Sequence, residues 1–135
     1  MNLLLDTNIF LEVLLGQRQA QEAVTLLSSA GRLNFFMSDF SLHSIGVLLF
    51  RRRNFDAYTA FCADLVVTGT RVLGLHPMES ASLAESATRH SLDFDDAYQY
   101  EIAKRFGLIL VSLDSDFDRT DINRKTPQEV LETLC

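Results

Sequence analysis

Leu3-Leu4-Leu5 is apolar at every position, with no polar alternation, and it ends at once on Asp6-Thr7-Asn8. So short and uniform a run reads as a strand buried on both faces, which requires a sheet with helices packed above and below it. The rest of the chain supplies them. Ala20, Ala23, Val24, Leu27 and Ala30 recur at helical spacing, and Gly31 sits where a helix C-terminal glycine belongs. Leu33 to Met37 reads as a second strand, and Leu42, Ile45, Gly46 and Leu49, then Phe55, Tyr58, Cys62 and Leu65, give two further helical faces. Arg71 to Leu75 reads as a third strand, followed past His76-Pro77 by a helix to about Arg89. A helix from about Asp93 to Phe106, a strand from Leu108 to Leu113 and a last helix opening on the capping box Thr126-Pro127-Gln128-Glu129 complete the pattern. This alternation predicts an α/β fold, a three-layer α/β/α arrangement around a mainly parallel sheet, formed as a single domain over residues 1–135.

At 47% hydrophobic and 22% charged residues the chain can bury a core without disulfides or a structural metal. Cys62 and Cys135 stand far apart and read as free thiols, and neither an export signal nor a membrane-length apolar run is present, so a cytoplasmic protein with no membrane partner is expected. Twelve basic against 18 acidic residues give a net charge of −6, which excludes broad, nonspecific adhesion to nucleic acid. It does not exclude a nucleic-acid substrate held through a cation.

Ligands of parallel sheets gather beyond the carboxyl ends of the strands. Asp6 stands at one such end, Asp114 and Asp116 in "SLDSDF" at another, and Asp93, Asp95 and Asp96 open a late helix in "LDFDDAY". Singly, each group has a structural explanation: Asp6 and Asn8 as an Asx turn and helix cap, Asp93 and Asp96 as an acidic cap, Asp114 to Asp118 as a solvated turn. Jointly they bring at least three carboxylates to one sheet edge, where repulsion calls for a cation. An all-oxygen set suits Mg²⁺ or Mn²⁺, and metal-assisted phosphodiester hydrolysis is the chemistry such a centre serves. An aspartate-nucleophile phosphatase would need an acid at Asn8, a phosphate-receiver domain a lysine at the late strand end, and no glycine-rich phosphate loop is present.

Asp6-Thr7-Asn8 after the first strand, Asp96-Ala97 opening a late helix and Ser112-Leu113-Asp114-Ser115-Asp116-Phe117 after the fourth strand resemble, in order and spacing, the PIN-domain family and its VapC-type ribonuclease toxins. The resemblance implies Asp6, Asp96 and Asp114 as metal ligands, Asp116 as a peripheral ligand, and Thr7, Asn8 and Ser112 in support. It implies cleavage of RNA to a 5′-phosphate and a 3′-hydroxyl, and a small antitoxin as partner. One departure stands out: the glutamate that the family carries early in the helix after the second strand aligns with Ser44. Three accounts stay open: Asp39, Asp93 or Asp95 supplies the charge; His43 faces the site; or the site no longer cuts and the fold binds RNA or protein. Arg119, Arg124 and Lys125 are the candidates for RNA-backbone contacts, ahead of Arg51-Arg52-Arg53, and the surplus of aromatic residues on the two middle helices suggests a homodimer surface.

Overall fold

The structure is a computed structural model and describes residues 1–135. Four strands, β1 (Asn2–Leu5), β2 (Asn34–Ser38), β3 (Arg71–Leu73) and β4 (Ile109–Val111), form one sheet in the order β3-β2-β1-β4 with every pairing parallel. Because side chains alternate along a strand, Leu3 and Leu5 enter one hydrophobic cluster with Ile9, Phe35 and Ile45, while Leu4 enters the opposite one with Ile102, Leu110 and Phe117. All three leucines are fully buried, which is the reason the run lacks polar alternation. The three-layer α/β/α architecture expected from the sequence is the one observed.

The helices are α1 (Thr7–Leu14), α2 (Ala20–Leu27), α3 (Asp39–Arg51), α4 (Phe55–Thr68), α5 (Pro77–Ser80), α6 (Leu83–His90), α7 (Phe94–Phe106) and α8 (Pro127–Leu134), with a 3-10 turn over Ser115–Arg119. Several boundaries depart from the sequence reading. Gly31 caps nothing: α2 stops at Leu27, and the Ser28 and Ser29 hydroxyls donate back to the carbonyls of Val24 and Thr25. The helix expected from Pro77 to Arg89 is two helices, α5 and α6. The strand expected over Leu108 to Leu113 is only three residues long, because Ser112 N–H turns to the Lys125 carbonyl and Leu113 N–H to Asn8 Oδ1. Gly107, by contrast, closes α7 in the left-handed region, as its position predicts.

Since β1 lies between β2 and β4, the chain leaves β1 towards one side of the sheet and returns as β4 on the other. Their carboxyl ends therefore flank a crevice of the kind in which α/β sheets place their ligands.

Candidate active site

Asp6 is the first residue beyond β1, and its backbone N–H continues the ladder to the Val111 carbonyl (3.0 Å). It caps α1 and is 6% exposed. Its Oδ1 accepts from Thr7 N–H (2.8 Å) and Gln99 Nε2 (2.9 Å), and its Oδ2 from the Ser112 hydroxyl (2.7 Å) and Asn8 Nδ2 (3.3 Å). Four donors fill the acceptor sites of the two oxygens. Burial pushes the Asp6 carboxyl above the usual carboxylate range, and the bonds from Ser112, Gln99 and Thr7 pull the other way.

Asp96, in the first turn of α7, is set by Asp93, whose carboxylate caps the helix by accepting Asp96 N–H (2.9 Å). Asp114 caps the 3-10 turn by accepting Asp116 N–H (2.9 Å), and its own N–H donates to Ser112 Oγ (3.0 Å). Each of Asp96, Asp114 and Asp116 offers an oxygen within 4.8 Å of the others. Burial, then the charges of Asp114, Asp93, Asp6 and Asp116, push the Asp96 carboxyl up to about 7. So the caps proposed as structural alternatives for Asp6 and Asp93 do form, the turn proposed after Asp114 is a 3-10 turn that Asp114 caps, and these local structures deliver the carboxylates to one place.

A cavity of about 240 Å³ is lined by Asp6, Thr7, Asn8, Ser44, Asp95, Asp96, Gln99 and Asp114, with Leu11 and Phe40. Ser44 thus faces the acids from α3. Asp39 and His43 line a different depression together with Phe50 and Tyr58, and Asp39 accepts the Tyr98 hydroxyl (2.8 Å). Of the substitutes considered for the glutamate charge, Asp95 alone shares the cavity.

Gln99 carries no motif and was invisible as a site residue in the sequence; its only signal is a polar residue three places after Asp96, on the same face of α7. It is 2% exposed, and Nε2 bridges Asp6 Oδ1 and Ser41 Oγ (2.7 Å). Its Oε1 is buried without a donor. Turning the amide over would place that oxygen against the Asp6 carboxylate, so repulsion keeps it where it is.

Among the basic candidates, Arg124 forks onto Asp118 (3.0 and 2.9 Å) and donates to the Ser112 carbonyl (3.0 Å), bracing the loop after β4. Arg119 donates to the Ser91 carbonyl (2.7 Å) and lies 3.7 Å from Asp116. Lys125 joins β4 through its backbone.

The sequence matches the PIN domain over residues 3–123. The chain belongs to the PIN-domain family. No curated protein matches it by sequence. Among solved structures, this PIN domain is similar to Mycobacterium tuberculosis VapC20, a toxin that cleaves the sarcin-ricin loop, with a TM-score of 0.74 and 22% identity over 90% of this chain and 96% of that one. It is also similar to a toxin-antitoxin complex from Klebsiella pneumoniae (0.70, 20%, covering 92% and 96%) and to VapBC2 of Rickettsia felis bound to promoter DNA (0.73, 14%, covering 93% and 98%). At these identities the likeness establishes a shared fold. No helix is long and apolar enough to cross a membrane.

Proposed function

We propose that this PIN-domain protein is a Mg²⁺- or Mn²⁺-dependent endoribonuclease and the toxin of a toxin-antitoxin pair, acting on cytoplasmic RNA. The observation that carries the reading is the convergence of Asp96, Asp114 and Asp116 within 4.8 Å, with Asp96 pushed up to about 7 by its surroundings. Asp96 and Asp114 line the cavity and Asp116 stands exposed beside them; carboxylates held this close are electrostatically unfavourable without a cation, and an all-oxygen set suits a hard divalent ion. Asp96, Asp114 and Asp116 would hold it. Asp6, with both oxygens occupied by donors, acts from behind them: through Ser112 it orients the N–H of Asp114. Bound there, the ion supplies an activated water and offsets charge on the phosphate. Lys125 and Arg119, on the loop that follows the Asp114 motif, steer the RNA backbone, and Arg124 holds that loop in shape.

The antitoxin and RNA partners rest on the similarity to toxin-antitoxin proteins, and a homodimer rests on the exposed apolar side chains of α3 and α4, Phe50, Phe55, Val66 and Val67. Ser44, neutral where the family carries an acid, favours a second reading: a PIN fold that binds RNA or protein without cutting it. Calorimetric titration with Mn²⁺ separates the two. The nuclease reading expects binding by the wild type that is lost in Asp114→Asn, followed by Mn²⁺-dependent cleavage of RNA. Absence of binding at millimolar Mn²⁺ transfers the protein to the second reading.

A further inference from the structure

The polar network beneath the carboxylates has a hydrogen direction that its burial dictates. Ser38 caps α3, accepting Ser41 N–H (3.0 Å), and is fully buried, so its own hydroxyl hydrogen needs an acceptor inside the protein. That acceptor is Ser41 Oγ, 3.1 Å away. Gln99 Nε2, which can only donate, takes the second lone pair of Ser41 Oγ at 2.7 Å. Ser41, also fully buried, is then an acceptor twice over, and its single hydrogen is directed to Thr7 Oγ1 at 2.8 Å. Thr7 therefore receives a hydrogen from Ser41 and keeps its own free. Thr7 is half-buried and lines the cavity whose wall also carries Asp96 and Asp114. Ser44 lies on the same wall, three residues after Ser41 and on the same helix face.

We propose that the Thr7 hydroxyl donates to a non-bridging oxygen of the phosphodiester to be cut, and that Gln99 and Ser38, acting through Ser41, are the positioning residues that keep its hydrogen pointed into the cavity. The inference rests on the nuclease reading and names the phosphate-binding element of that same site. The cavity then has two unlike walls: carboxylates on α7 and after β4, suited to a cation, and hydroxyls on α1 and α3, suited to a phosphate. A phosphodiester is the ligand that satisfies both, being an anion that a cation attracts and an acceptor that a hydroxyl binds. Ser44, where the family pattern has an acid, enlarges the hydroxyl wall.

The test uses the whole protein and three readouts: Mn²⁺ affinity by calorimetry without RNA, affinity for a fluorescein-labelled mixed-sequence single-stranded RNA by anisotropy with Ca²⁺ in place of Mn²⁺, and KM and kcat for cleavage of the same RNA in Mn²⁺. Thr7→Val, which keeps the shape and removes the hydroxyl, is expected to hold Mn²⁺ as the wild type does and to bind RNA about tenfold to a hundredfold more weakly. Thr7→Ser should restore RNA affinity. Ser41→Ala should weaken RNA binding, and adding it to Thr7→Val should cause no further loss of RNA affinity, since the hydrogen that Ser41 directs reaches the cavity through Thr7. Wild-type RNA affinity in Thr7→Val, or additive effects of the two substitutions, overturns the proposal while leaving a cutting wild type as a nuclease. A wild type that neither binds nor cuts RNA with metal present overturns both.

Discussion

Asp6 and Asp96 are aspartates at the two sides of one cavity, and the protein treats them oppositely. Asp6 is almost wholly buried and accepts four donors, so its charge is answered by the protein itself. Asp96 is half-buried and is surrounded by further carboxylates, and its carboxyl is pushed up to about 7. The first is an anion whose donors come from the start of α1, from α7 and from the residue after β4. The second is an anion left without a partner, and its charge becomes favourable only when something positive arrives. The proposed metal centre would use both kinds, one rigid and satisfied and one held in place while unsatisfied.

Substitution of the two should therefore have opposite signs. Viewed as one member of a repelling cluster, Asp6 should be replaceable by asparagine without loss of stability. The hydrogen bonds give the reverse expectation. An asparagine turns one acceptor oxygen into a donor facing the donors already there, and Asp6→Asn is expected to destabilise the protein by about 1–3 kcal/mol in urea unfolding. A variant as stable as the wild type would show that the network contributes little. Asp96→Asn removes repulsion and should raise metal-free stability by on the order of 1 kcal/mol while abolishing Mn²⁺ binding. A fall in stability would erase the contrast between the two residues.

The pH dependence follows from the same difference. A carboxyl whose folded pKa is raised binds more protons in the native state than in the unfolded one, so its contribution is present below the unfolded value and is lost as pH rises through the folded value. For Asp96 that window runs from about 4 to about 7. Asp6, also shifted upwards, adds in the same direction. Taken in full the shift would be worth about 4 kcal/mol, but Asp96 is only half-buried and solvent screens its repulsion, so metal-free protein is expected to lose on the order of 1 kcal/mol across the window, with the slope reduced in Asp96→Asn. A melting temperature that climbs from pH 4 to 7 would contradict it. The smallest effect is expected from Ser44→Glu, which returns an acid to the cavity wall: Mn²⁺ binding should tighten by about tenfold or less, as one added charge at a solvent-screened site permits. Unchanged affinity would mean that position 44 does not reach the ion.

Much of this was legible in the chain. The uniform run Leu3-Leu4-Leu5, the spacing of the helical faces and Gly107 after α7 report local preferences and burial, and they indicated the sheet and its layers. Asp6, Asp96 and Asp114 were legible as a set because each follows a strand or opens a helix. The division of labour among them was not. Ser41 and Gln99 lie 34 and 93 residues from the side chains they bond at the site, and Ser112 lies 106 from Asp6, so no local pattern announces those pairings. Gly31 and the α5–α6 break misled for a different, local reason: serine hydroxyls bond back to nearby carbonyls at both places, Ser28 and Ser29 after α2 and Ser82 between α5 and α6, where the apolar spacing alone allows a helix to continue.

By itself the sequence determined a parallel, twice-covered sheet and placed acids at its carboxyl edge, because hydrophobic period and capping chemistry act over a few residues. Only the tertiary structure decided which acids are satisfied and which are left open. Solvation and charge depend on what the fold brings within a few ångströms, and those neighbours come from distant parts of the chain.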